Sequence, residues 1–516
     1  MHTRRNVWRL SQPWDDILLW YAKGVRELQT RPITDPTSWT SLAAIHGFDQ
    51  DLWTALDYLK PNSPLPSDAN QARFWKQCQH QTWHFLPWHR GYLSSFEAIM
   101  RAAIVKLGGP DDWALPYWNY SDSQDPNARK LPTAFGQARL PDGKANPLLV
   151  TRRYGDGTGR IAITPADVAL NALRETEFSA NGDGGTTGFG GPQTAFQHDG
   201  FNNGEIESLP HNNIHVLVGG RQPDGDPQDA SIYGLMSIPD TAALDPIFWL
   251  HHANIDRLWE VWLSRDSANR NPSDEQWLSG PADRAFAMPN PDGTGRNFTA
   301  ADVLDTTKLG YIYDDTSDPL EGAVRVATRM TRFGLSPADA ANVREIPVAQ
   351  RKPAELVGAN DRSIAIGSEG IQTLVKFDQG VSRKIVDSLR ASPSFAAGGG
   401  EPDRVFLNLE NIRGVNDAAV LDVYVNLPKG AKPEDNPHHL AGAVSLFGVR
   451  KATRPDSAHG GNGISQTMEI TDIVDRLHLN NALDLDHLDV HIVPRTEIRP
   501  GDDISVQRVS VYRQGQ

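Results

Sequence analysis

Sixteen histidines are spread over the 516 residues, and eight of them could share metal ions: His46, His80, His84, His89, His211, His215, His251 and His252. His211-Asn-Asn-Ile-His215 places two imidazoles at i and i+4, so on a helix both project from one face toward a single ion. A third comes from Asp245-Pro-Ile-Phe-Trp-Leu-His251-His252-Ala-Asn254-Ile-Asp256-Arg257. There Phe248, His252 and Asp256 stack at i−4, i and i+4, which gives one ligand an aromatic wall and a carboxylate. His251 points about 100° away from its neighbour and is expected as a buried histidine beside the site, not as a ligand. His46, His80 and His89 form the second group, with His84 as the spare. Three neutral imidazoles without carboxylate or thiolate suit copper, or zinc in a hydrolase, and the donor set does not choose between them.

The elements that must hold these side chains are helical as far as about Ser264. The pattern predicts helices over Trp14–Leu28, Trp39–Leu59, Phe85–Val105 and Pro246–Ser264. The helix around Pro87 has proline in its first turn and apolar Leu93, Phe96 and Met100 spaced by three and four. The last one begins with Asp245 as N-cap and Pro246 where a missing N–H costs nothing. Between Ser121 and Glu205 the chain is rich in Gly, Asn and Asp, with one short helical stretch near Asp167–Arg174, and a loop region of that length is expected to shape a site. Beyond Ile346 alternating strands take over, at Arg404–Leu409, Ala419–Asn426, Ala441–Phe447, His487–Val493 and Ser505–Tyr512. The expected architecture is a mainly α domain over 1–350, a linker over 351–370 and a β-sandwich domain over 371–516.

Composition narrows the classes of function. A formal net charge of -14 repels phosphate backbones, so nucleic acid is excluded as a partner. Arg4-Arg5 lacks the apolar stretch of an export signal, and no apolar run reaches the roughly 18 residues of a membrane span, so a soluble cytoplasmic protein is expected. The single cysteine, Cys78, rules out an internal disulfide and leaves stability to packing, to which 14 tryptophans contribute.

Four segments carry a resemblance that selects the metal. His80-Gln-Thr-Trp-His-Phe-Leu-Pro-Trp-His89-Arg90-Gly-Tyr92-Leu93, Leu115-Pro-Tyr-Trp-Asn119, His211-Asn-Asn-Ile-His215 and the stretch from Asp245 to Arg257 resemble, in order, the copper signatures of the tyrosinase and polyphenol oxidase family. The resemblance spans roughly residues 1–310. It implies two copper ions per chain, O₂ as co-substrate, and small phenols as substrates. His46, His80 and His89 correspond to ligands of the first copper, and His211, His215 and His252 to ligands of the second. His46 enters as the histidine of the helix upstream of His80.

The same resemblance assigns further roles. Cys78 stands at the Cys-x-His spacing at which fungal-type members join the sulfur to a ligand imidazole, here His80. Glu207 and Asn212 match positions that hold and polarise a water able to take a proton from a monophenol. Phe248, Asn254 and Asp256 are expected around the ligands, and Val216 and Pro239 at the substrate entrance. The β-domain resembles the covering domain of latent members, with Phe447 a candidate to reach over the site, and it could equally support a homo-oligomer. The implied reaction is ortho-hydroxylation of monophenols and oxidation of o-diphenols to quinones. A catechol or o-aminophenol oxidase is the alternative within enzymes, and a haemocyanin-like oxygen carrier or a zinc hydrolase the alternatives outside that chemistry.

Overall fold

The computed structural model describes residues 1–194, 202–266, 269–280, 285–320, 325–343, 351–390, 401–456 and 460–515. Contacts divide the chain into two compact units, one from Met1–Ala169 and Leu209–Pro319, the other from Leu170–Gln193, a stretch ending at Ser208, and Leu320–Gln516. The expected boundary at 1–350 is therefore not where the contacts divide: the loops after Leu170 and everything past Leu320 go with the second unit. The sequence change near Ile346 lies outside the described residues.

The first unit is built on helices α1 (Asp16–Gln29), α2 (Trp39–His46), α3 (Gln50–Ala55), α4 (Asp68–Phe74), α5 (Phe85–Lys106), α6 (Asn213–Gly219) and α7 (Pro246–Arg265). The Asp245 carboxylate caps α7 by accepting from Ile247 N at 3.0 Å, with Pro246 in the first turn, as the sequence predicts. The helix expected over Trp39–Leu59 is two helices, α2 and α3, parted at Gly47-Phe48-Asp49. Gly47 is the cause. A Cβ there would stand 2.8 Å from the Pro239 oxygen and from the Asp240 Cα, so the glycine lets the 239–240 backbone pack directly on the end of α2. The short helical stretch near 167–174 is two 3₁₀ turns, Ala166–Val168 and Asn171–Arg174. Strands are minor: β1 (His2–Arg4) pairs in parallel with β4 (Tyr311–Tyr313), and β2 (Phe286–Pro289) with β3 (Gly295–Phe298) as a hairpin.

Helices α5 and α7 cross at the centre of this unit. Trp249 of α7 stacks on Phe96 of α5, centroids 3.5 Å apart and planes 10° off parallel. Beside that stack lies Asp256, 3% exposed. Its carboxylate accepts from Arg90 Nε at 2.5 Å, Arg4 Nη1 at 3.1 Å, and the hydroxyls of Tyr311 and Tyr313 at 2.6 and 2.5 Å. Arg4 also reaches Glu97 at 2.8 Å, and Arg90 reaches Glu260 at 2.6 Å. One buried carboxylate thus ties the N-terminal strand, α5, α7 and β4 together.

The second unit is a single antiparallel sheet with strand order β10-β9-β12-β7-β5-β13-β8-β11 and β6 paired with β13. Its strands are β5 (Glu355–Ala359), β6 (Ile364–Ala365), β7 (Ile371–Phe377), β8 (Arg404–Arg413), β9 (Val420–Val425), β10 (Leu440–Ser445), β11 (Ile464–Glu469), β12 (His487–Pro494) and β13 (Ser505–Gln514). All five predicted strands are present. The sheet curls until its end strands draw level, so that a Cβ on Gly442 of β10 would stand 3.3 Å from Met468 Sδ of β11, and the unit is nearly barrel-like. Alternating Leu421, Val423 and Val425 on β9 and Val405, Leu407 and Leu409 on β8 face a core into which the helices Gln379–Arg390 and Thr471–Leu479 send Ile385, Leu389, Ile473 and Leu477. The stretch 351–370, expected as a linker, supplies β5 and β6 to this sheet. Phe447 lies just past the end of β10 and is buried. Among the described residues no helix is long and apolar enough to cross a membrane.

Replacing Asp256 by Asn removes the charge while two guanidiniums stay buried. We expect a loss of about 3–5 kcal/mol of unfolding free energy, read by denaturant titration; a change below 1 kcal/mol would show that the network does not hold the helices.

Candidate metal centre

The structure gathers the first unit's histidines into two groups. His46, Cys78, His80 and His89 each offer a donor atom within 4.8 Å of the others, as do His211, His215, His251 and His252, and all eight residues are buried. The two groups adjoin, for His89 and His252 stack with centroids 4.4 Å apart and planes 11° off parallel, and the rings of His80 and His211 lie 5.6 Å apart.

Four of the rings are aimed by what holds their Nδ1 nitrogen. His46 Nδ1 donates to the Pro239 oxygen at 2.8 Å, the contact that Gly47 makes room for. His89 Nδ1 donates to the Phe85 oxygen one turn back at 2.8 Å, and His215 Nδ1 to the Met236 oxygen at 2.9 Å. His211 Nδ1 donates to Asn212 Oδ1 at 2.8 Å. A carbonyl oxygen only accepts, so in these four rings the proton sits on Nδ1 and Nε2 carries the lone pair that a metal needs. Burial and then the neighbouring imidazoles push His89, His215 and His252 well below the ordinary histidine range, so the rings are neutral. Buried neutral nitrogen donors with fixed lone pairs, joined in the first group by the Cys78 sulfur and, among the described residues, by no carboxylate in either group, fit copper ions.

Most expected site residues come together here. Phe248 is the wall between the groups, its ring 4.9 Å from His46 and 4.2 Å from His252. Cys78 Sγ is 3.4 Å from His80 Nδ1 and 3.5 Å from His89 Nε2. Asn212 opens α6, and the turn before it is broken by Leu209, whose backbone is extended (φ −146, ψ 122). Glu207 belongs to the second unit, where it is fully buried and its carboxylate accepts from Gly204 N at 3.4 Å. Asn254 is buried on α7.

Four expectations change. Asp256 does not flank His252: its oxygens are committed to Arg4, Arg90, Tyr311 and Tyr313, and Arg257 instead donates to the Asp315 oxygen at 2.6 Å. Burial would raise the Asp256 carboxyl, and Arg90 and Arg4 overcome this and hold it below the usual range. Val216 is 1% exposed and so does not stand at an opening. Pro239 is half-buried, and its carbonyl aims His46. His251, set aside on helix geometry, lies against the second group, its ring 5.2 Å from His211 and 4.9 Å from His215. Its Nδ1 meets the Tyr120 hydroxyl at 3.1 Å. Neither Tyr120 nor the backbone carbonyls that aim the rings could be found from sequence, since a carbonyl belongs to every residue alike. His84 packs between Trp83 and Phe286, outside both groups.

Two family models match the chain: the common central domain of tyrosinase over residues 36–265 and a domain of unknown function over 353–514. The tyrosinase HcTyr1 of Hahella sp. is 33% identical over 522 aligned residues that cover 99% of each protein. The chain belongs to the tyrosinase family. It is thereby a dinuclear copper oxidoreductase acting on phenols. A chloroplastic polyphenol oxidase of Malus domestica is 26% identical over 80% of this chain, which spans 63% of that protein. In fold, the chain is similar over its full length to a latent aurone synthase and to latent apple tyrosinase, both with a TM-score of 0.59, at 18% and 21% identity and covering 90% and 97% of those chains.

The position of His84 sets a pH dependence for this tyrosinase-family protein. Burial lowers its pKa from 6.5 to about 4. A pKa lower in the folded state means that protons favour unfolding, so the stability is intact above about pH 6.5 and falls as the pH drops toward 4. His84→Gln should flatten that loss by up to about 3 kcal/mol at pH 4 in paired denaturant titrations; parallel curves for the two proteins would refute a neutral buried ring.

Proposed function

We propose that His46, His80 and His89 hold one copper ion and His211, His215 and His252 the other, and that the enzyme ortho-hydroxylates small monophenols and oxidises o-diphenols to o-quinones. The observation that carries this reading is the pair of adjoining groups of buried neutral imidazoles with lone pairs turned inward. Copper bound there supplies the activation of O₂ as co-substrate. The chain's own part is positional: carbonyls fix the rings, Phe248 closes the space between the groups, and burial excludes bulk water.

A monophenol, with a pKa of about 10, must give up its proton before it can bind a metal, a step an o-diphenol oxidase without this activity need not assist. Glu207 and Asn212 are assigned to that step, through a water they hold. The Asn212 oxygen is engaged by His211 Nδ1, so the amide couples the water's position to the aim of a ligand ring. Oxygen uptake by copper-loaded enzyme is expected with both a monophenol and a catechol. Glu207→Gln should reduce monophenol turnover at least about tenfold more than diphenol turnover. Equal losses would remove Glu207 from the proton transfer, and absence of uptake with either substrate would overturn the enzyme reading.

Cys78 is assigned a thioether to His80, supported by the 3.4 Å approach of its sulfur to that ring. The bond replaces S–H and ring C–H by C–S, with two electrons and two protons passing to the copper centre and O₂. Intact mass of denatured protein after copper loading in air should fall by two hydrogens, whereas an unchanged mass with a titratable thiol excludes the bond.

A further inference from the structure

The geometry points to a binding site for a small tetrahedral oxyanion of the phosphate class, held between α5 and the β2–β3 hairpin by Arg101, Arg296 and the Ser94 hydroxyl. A cavity of about 200 Å³ opens there, bounded by Ser94, Glu97 and Arg101 of α5, Arg296 of β3, Asn290 and Tyr311. It lies on a different face of α5 from His89: Ser94 and Arg101 come five and twelve residues later, about 140° and 120° round the helix from that ring. The hairpin is drawn in because Gly91 has no side chain. A Cβ there would run into the Phe298 ring, and Arg296, two residues before Phe298 on β3, shares its face of the strand and so meets α5. Ser95 Oγ ties the same helix to β2 by donating to the Pro289 oxygen at 2.5 Å.

What marks the cavity as an anion site is the state of its donors. Among the described residues the Arg296 guanidinium makes one hydrogen bond, from Nη2 to Ser94 Oγ at 3.4 Å, and no ion pair. Arg101 gives Nε–H to the Trp113 oxygen at 2.7 Å and Nη2–H to Glu97 Oε1 at 2.6 Å, which leaves Nη1 to donate elsewhere. Ser94 accepts from Arg296, so its own hydrogen is left to give. The carboxylate on the wall is already engaged, since Glu97 Oε2 accepts from Arg4 Nε at 2.8 Å while Oε1 holds Arg101. Two guanidiniums against one carboxylate leave the wall with a net positive charge. Burial lowers both guanidiniums from their ordinary value, and neither Asp302 at Arg296 nor Glu97 at Arg101 makes up for it. A bound anion would. A planar carboxylate is satisfied by one guanidinium fork, whereas a tetrahedral oxyanion presents oxygens at once to donors that come from two elements.

The test is isothermal titration of the copper-loaded enzyme with inorganic phosphate, which should show saturable binding of one phosphate per chain. Acetate at the same ionic strength should bind about tenfold or more weakly. Arg296→Gln should weaken phosphate about tenfold or more, the loss of hydrogen bonds between charged groups, with copper content per chain unchanged. Ser94→Asp sets a carboxylate beside Arg296 and should abolish binding, and it decides alone if Arg296→Gln does not fold. Phosphate also stabilises proteins by exclusion from their surface, so thermal unfolding is read as a difference, with phosphate raising the midpoint more in the natural protein than in either variant. Absence of saturable binding to the natural protein would overturn the proposal. Unchanged phosphate affinity in a folded variant would place the anion elsewhere, the copper ions included, and overturn it equally. Acetate binding as tightly as phosphate would make this a carboxylate site and overturn the class assigned.

Discussion

One buried carboxylate holds the geometry on which everything else depends. Asp256 lies one turn beyond His252 on α7, and Arg90 follows His89 on α5, so the 2.5 Å contact between them fixes the two helices within a residue or a turn of a histidine from each group. The stack of Phe96 on Trp249 sets the spacing of the helices but would allow sliding, since flat rings resist separation more than shear. The ion pair removes that freedom because its geometry is directional. Arg4, Tyr311 and Tyr313 complete the satisfaction of the carboxylate from segments at both ends of the first unit, without which its burial would cost more than the pairing returns.

The second constraint is that many imidazoles occupy a small dry volume. Charged rings there would repel one another and lack water, so burial and mutual proximity keep them neutral, as the lowered pKa values of His89, His215, His251 and His252 express. Neutral rings bind metal without first releasing a proton, and the fold therefore meets in advance a cost that flexible ligands would pay on binding. Carbonyl acceptors at Pro239, Phe85, Met236 and Asn212 then hold the proton of four rings on Nδ1 and leave Nε2 the lone pair that a metal needs.

Sequence legibility followed the range of the interaction. The helices bearing His89 and His252 were legible because proline, cap and apolar spacing act within a few residues, and the gathering of the histidines because their motifs are long. The strands of the second unit were legible from alternation, but their closure into one curled sheet was not, since curvature is set by pairings between β13 and β8 or β12 and β9 that no local pattern encodes. The break of α2 from α3 depends on backbone 190 residues away packing on Gly47. Asp256 was misplaced for the same reason: helix periodicity gives the face of a side chain but not that Arg4 and Tyr311 will claim it. His251 shows the opposite limit, because a 100° offset on a helix matters little when partner rings surround the helix on more than one side.

Chain connectivity brings part of the second unit close in sequence to the second histidine group. The loops at Leu170–Gln193 and the stretch ending at Ser208 precede His211 by few residues, yet they are built into the sheet unit. Arg404 of β8 donates to Glu175 at 2.7 Å and to Glu469 at 2.6 Å, and Asn408 donates to the Gly184 oxygen at 3.3 Å. Removing residues beyond about 350 would leave Glu175, now 7% exposed, without its guanidinium, and would strip Gly184 of the Tyr512 ring that packs on it. A chain cut there loses the strands on which these second-unit loops pack, and the loops lead in sequence to Glu207, His211 and Asn212, so altered activity in such a fragment reports on the loops before it reports on access to copper.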